Sequence, residues 1–157
     1  MFRIILFIHI LVGVICLVTG FAAMIAPKKK GFHTNLGEIY HFSFIIVFLT
    51  TIAMAVMHWS SSSYLLYIGI FSYSLALLGY LAGKFKWKHW VAIHIGSILG
   101  SYIAILTAVL VVNVNRIPIL NNYNPLIFWL LPTVIGSPII YLIRKKYEID
   151  LNQEKSV

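Results

Sequence analysis

The sequence predicts an all-α integral membrane bundle of five transmembrane helices, with the amino terminus outside and the carboxyl terminus in the cytoplasm. Three observations carry that prediction. The 157 residues are 61% hydrophobic and only 10% charged, where ordinary globular chains are about 25% charged. Five apolar stretches approach the roughly 20 residues that a spanning helix needs. The cations gather at the ends of those stretches, and mostly on one side of them.

The first span is expected near residues 4–26. Its apolar run is longer than the roughly 7–15 residues of a signal-peptide core, and Lys28, Lys29 and Lys30 follow it directly, so it reads as a retained helix. Pro27 and Gly31 end it. The second span is expected near 38–58, and "SSSS" separates it from the third, near 63–83. The fourth is expected near 90–112. "NRIPILNNYNP" then leads to the fifth, near 125–143. Residues 1–146 form the transmembrane domain and 147–157 a polar cytoplasmic tail. Each span must be helical, because lipid offers the backbone no hydrogen-bond partners.

Small residues forecast the packing. His9, Gly13, Cys16, Gly20 and Ala23 share one face of the first span. Gly96 and Gly100, with a stripe of His94, Ser97, Ser101, Ala104 and Ala108, mark the fourth. Such faces let helix backbones approach closely, which places helices one and four inside the bundle. In the fifth span Pro132, Gly136 and Pro138 should kink or break the helix. A broken helix would line a cavity, as in small-solute carriers.

If the spans alternate, one face carries Lys28, Lys29, Lys30, Lys84, Lys86, Lys88, Arg144, Lys145, Lys146 and Lys155. The other carries Arg3 and Arg116. The positive-inside rule puts the first face in the cytoplasm, and the chain is expected in a cell's inner membrane as a multi-pass protein. The expected partners are the bilayer, anionic lipids at the cytoplasmic face, and further copies or a larger membrane complex. "KFKWKHW" alternates cations with aromatics, the pattern of an interfacial anchor. The net charge of +8 does not call for nucleic acid, because the charges sit at span ends. The single cysteine, Cys16, excludes a disulfide within the chain.

The chain has four carboxylates, and three lie in the last ten residues. The fourth, Glu38, stands between His33 and His41. Glu38 and His41, three apart, share a helix face. His41 and His94 are expected at similar depth near the cytoplasmic face. His41 and His94 are therefore candidate axial ligands of a b-type haem, with His9 a candidate partner in the outer half. His33, Glu38, His41 and His94 are the candidate ligands of a divalent transition metal. The competing reading is structural. Asn35 and Glu38 have capping-box spacing and would start the second helix. His33, His58 and His89 would be interfacial anchors, and the deeper histidines would bond neighbouring helices. None of the common hydrolase, zinc-protease, Walker or dinucleotide motifs is present. No acid or base is expected at the membrane centre, which disfavours a charge-coupled transporter.

"HILVGVICLVTGFAAMIAPKKKGFHTNLGEIYHFSFI" and the closing half of the chain, "HIGSILGSYIAILTAVLVVN" with "WLLPTVIGSPIIYLI", resemble an uncharacterised bacterial multi-span membrane family, domain of unknown function 2306 or a close relative. The matching positions are His9, His33, Gly37, Tyr40 and His94. The resemblance implies a helical membrane bundle and no particular activity. The functional expectation is a membrane protein with a histidine-based metal or b-type haem site near the cytoplasmic face. The alternatives are a membrane scaffold or accessory subunit with structural histidines, and a small-solute carrier.

Overall fold

A computed structural model describes residues 1–28, 31–118 and 122–154. It is all-helical, with no strand among the described residues. The helices are α1 (Phe2–Ile25), α2 (Phe32–Met57), α3 (Trp59–Phe85), α4 (Trp90–Asn113) and α5 (Pro125–Glu154), with a 3-10 turn at Val114–Arg116. The shortest has 24 residues, which at 1.5 Å per residue spans about 36 Å. That exceeds the roughly 30 Å of a hydrocarbon core. All five are long and apolar enough to cross a membrane, α5 over Pro125–Tyr147. The chain is a multi-pass membrane protein. It divides into two compact units, Met1–Ser74 and Leu75–Val157, and α3 contributes to both.

In the first unit α1 packs against α2. Cys16, Gly20 and Ala23 are buried on α1, while Tyr40, Ser43, Phe44 and Val47 are buried on α2. Cys16, Gly20 and Ala23 of the stripe read from the sequence are thus buried in this unit, whereas Gly13 has open space beside it. The rest of α1 is open, with Phe7, Val18 and Ile25 all more than 60% exposed. So α1 is not an inner helix on every side. Within this unit one narrow stripe of α1 is buried, and its other faces are apolar. The start of α3 lies against α2, where Thr51 Cγ2 would stand 3.2 Å from a Cβ added at Gly69. Tyr73 stacks on Phe48, with centroids 4.8 Å apart.

Two boundaries differ from the sequence reading. α2 begins at Phe32, after Gly31 at φ 109°, a left-handed backbone that glycine tolerates best. Asn35 is already helical, its N–H bonded to the Gly31 carbonyl at 2.9 Å. Glu38 is therefore in the second turn, not the capping position. Nor do the serines form a loop. α3 starts at Trp59, and Ser61 and Ser62 donate their N–H groups to the His58 carbonyl at 3.2 and 2.9 Å. Serine suits the first turn of a helix because its short polar side chain can answer unpaired backbone groups there.

In the second unit α4 packs against α5. Ile103 of α4 occupies the space beside Gly136 of α5, so that a Cβ there would collide with it. Arg144 lies over Gly96, Cδ 3.7 Å from where a Cβ would be. On the other side α4 meets α3, where Gly79 and Gly83 form a notch. A Cβ at Gly79 would stand 2.7 Å from Ile98 Cγ1, and one at Gly83 would stand 2.9 Å from His94 Nδ1. α5 starts with Pro125 at its first position and the Asn124 side chain accepting the Leu126 N–H at 3.0 Å. It runs helically without a break through Pro132 and Pro138. The discontinuous helix on which a carrier reading depended is not formed.

Several hydroxyls inside the spans are satisfied locally. Thr51, Ser72 and Thr107 each donate to the carbonyl four residues back, at 2.7–2.9 Å. Back-bonding of this kind lets a polar side chain sit in an apolar helix at small cost.

Candidate functional site

The candidate residues are histidines, and their geometry follows from the helices that carry them. His9 of α1 reaches α2, its Nδ1 2.8 Å from Thr50 Oγ1. The Thr50 hydroxyl can direct its one proton to the carbonyl of Ile46 or Val47, both at 2.8 Å. With that proton on a carbonyl, Thr50 accepts from His9 Nδ1; with it turned to His9, the ring nitrogen accepts instead, and either way the bond ties α1 to α2.

His33 lies in the first turn of α2 and donates Nδ1–H to the Ala23 carbonyl at 2.9 Å. Ala23 is in the last turn of α1, where carbonyls lack helical partners. Lys28 covers the same end, with Nζ 2.8 Å from the Ala23 oxygen and 2.7 Å from that of Met24. A cation here complements the negative end of the helix dipole. Partial burial lowers the Lys28 pKa from the usual lysine value.

His94, in the second turn of α4, donates Nδ1–H to the Gly79 carbonyl of α3 at 2.7 Å. Its ring enters the notch that Gly83 leaves open, with Trp90 a turn away at 6.4 Å between centroids. His9, His33 and His94 therefore share one chemistry. Each uses Nδ1 in a hydrogen bond to a neighbouring helix.

His41 is different. It is 6% exposed and lies among aromatics, 6.3 Å from Tyr73 in a stacked arrangement and 6.0 Å from Phe42 edge-on. Tyr73, Phe44 and Phe48 complete the cluster. The buried Nδ1 makes no hydrogen bond, although the residue is engaged by its neighbours in other ways. Glu38, one turn before it, is half-buried and also engaged. His58 ends α2 with its ring 4.4 Å from that of Phe2. His89, in the left-handed conformation at φ 60°, precedes α4.

Among the described residues no group of three or more His, Cys, Asp or Glu is placed to hold a metal ion. The set His33, Glu38, His41 and His94 is thus not seen as one centre. His33, Glu38 and His41 belong to the first unit and His94 to the second. Sequence reading missed the partners rather than the histidines. Thr50, the Ala23 carbonyl and the Gly79–Gly83 notch carried no mark as histidine partners. "GYLAG" does have the spacing of two glycines one turn apart, and would have pointed to α3.

No family model matches this chain, and no curated protein or solved structure does either.

Proposed function

We propose that this protein is a membrane scaffold or accessory subunit whose histidines tie its helices together. The reading includes an inner-membrane location with the amino terminus outside, as the charge asymmetry favours. One observation carries it: His9, His33 and His94 each engage a ring nitrogen in a hydrogen bond to an adjacent helix. Inter-helix hydrogen bonds in membranes contribute about 0.6 kcal/mol on average and up to about 1.7. Three of them are a useful share of the stability of a small bundle. The lack of a broken helix and of motif chemistry fits a protein that acts by holding others in place.

A second reading keeps His94 as a ligand of haem iron or a divalent metal. It is favoured by the tautomer, because ligating histidines commonly donate their other ring N–H to a carbonyl.

Purified protein in mild detergent separates the two. The scaffold reading predicts no Soret band and no stoichiometric transition metal by elemental analysis, together with reduced thermal stability of His94→Ala. A Soret band or bound metal that disappears in His94→Ala would overturn it in favour of the ligand reading.

A further inference from the structure

We propose that the turn joining α3 to α4, residues 84–90, is a binding site for the anionic headgroup of a phospholipid. The inference is independent of the scaffold reading. It needs only that both flanking helices cross the bilayer, which sets the turn at headgroup level.

Residues 84–89 form an unbroken exposed run, "KFKWKH". The lysines are organised by aromatic rings. Lys84 Nζ donates to the Tyr80 hydroxyl at 3.0 Å and stands 5.1 Å from that ring's centroid. Lys86 Nζ stands 5.6 Å from the centroid of Trp90. Such contacts hold an ammonium group in place without neutralising it. Lys86 and His89 both have positive φ, 50° and 60°, a conformation that residues with a Cβ adopt reluctantly. The turn is thus a defined shape rather than a slack connection. Phe85 is 67% exposed and Trp87 37%; they interleave the lysines and offer apolar surface to acyl chains.

The missing component is negative charge. No Asp or Glu occurs anywhere from residue 39 to residue 147, so this part of the chain supplies no carboxylate for Lys84, Lys86 and Lys88. A phosphate diester held at the membrane surface supplies it. The exposed aromatics select a lipid over a soluble anion, because they bring apolar contact that free phosphate cannot use. Near an anionic surface each lysine contributes about fivefold in affinity.

The test uses the full-length protein in micelles, titrated with phosphatidylglycerol, phosphatidylcholine or inorganic phosphate, with bound lipid counted by native mass spectrometry. Phosphatidylglycerol should bind about tenfold or more tightly than phosphatidylcholine. Lys88→Gln should lose about fivefold, and Lys84→Gln with Lys86→Gln and Lys88→Gln more than tenfold. Arg116→Gln, a loss of charge at the opposite ends of the spans, should change little. Trp87→Ala should weaken lipid binding and leave any phosphate binding unchanged. Equal binding of the two lipids, an unchanged Lys88→Gln, or an equal loss in the Arg116 variant would overturn the proposal. Displacement of phosphatidylglycerol by inorganic phosphate would also overturn it, pointing to a soluble-anion site.

Discussion

His94 donates to the carbonyl of Gly79 at 2.7 Å across a gap that exists only because position 83 has no side chain. One residue provides the acceptor and another, a turn later, provides the room. Gly83→Ala would drive a methyl group to 2.9 Å from the imidazole, and a ring cannot fold away as a flexible chain end can. Overpacking of this kind costs about 1–3 kcal/mol. Thermal unfolding in detergent should show Gly83→Ala and Gly79→Ala clearly destabilised. A melting temperature equal to wild type would mean that α3 and α4 do not approach this closely.

Glycine is not required everywhere. Nothing lies within 4 Å of a Cβ built at Gly13 or Gly37, and both are in helices with ordinary backbone. Replacing glycine by alanine inside a helix gains up to about 1 kcal/mol where space allows. Gly13→Ala and Gly37→Ala should be neutral or stabilising in the same assay, and a loss above about 1 kcal/mol would show that the sites are crowded.

The His9–Thr50 bond predicts a coupling between two helices. A double-mutant cycle with His9→Ala and Thr50→Val isolates it from the losses each change causes alone. The expected coupling is about 0.6 kcal/mol, with about 1.7 as the upper end. Additive effects would remove the bond from the account.

Cys16 is fully buried, its Sγ 3.7 Å from the Tyr40 carbonyl. A maleimide reagent should leave it unmodified in the folded protein and label it fully after denaturation. Rapid labelling in mild detergent would show that α1 and α2 separate readily.

In α5 the two prolines remove backbone donors without ending the helix. Pro132→Ala restores a donor for the carbonyl of Phe128 and should leave thermal stability unchanged or raised. A carrier that needed a break there would instead lose stability or transport, which proteoliposome flux would reveal.

Five helices were legible because length and apolarity decide a span almost alone. The small face of α1 was legible too, since Cys16, Gly20 and Ala23 recur at helical spacing. Boundaries were less so. Ser60 to Ser63 look like a linker by composition, yet they form the first turn of α3, with the Ser61 hydroxyl donating to the His58 carbonyl at 3.3 Å. The histidine partners were hidden for another reason. Whether His94 meets a metal, a lipid or Gly79 depends on the register between helices, and register is set by which side chains are absent, at Gly79 and Gly83. His41 was marked as important by position, but its aromatic surroundings required Tyr73 from α3, more than thirty residues away.

The most direct measurement is nitrogen NMR of the protein labelled with 15N-histidine, purified near neutral pH. The account predicts that His33 and His94, assigned by single substitutions, each carry a proton on Nδ1, donated to the carbonyls of Ala23 and Gly79. Resonances showing Nδ1 without a proton, or Nε2 bound to a metal, would contradict the claim that these imidazoles serve to fasten one helix to the next.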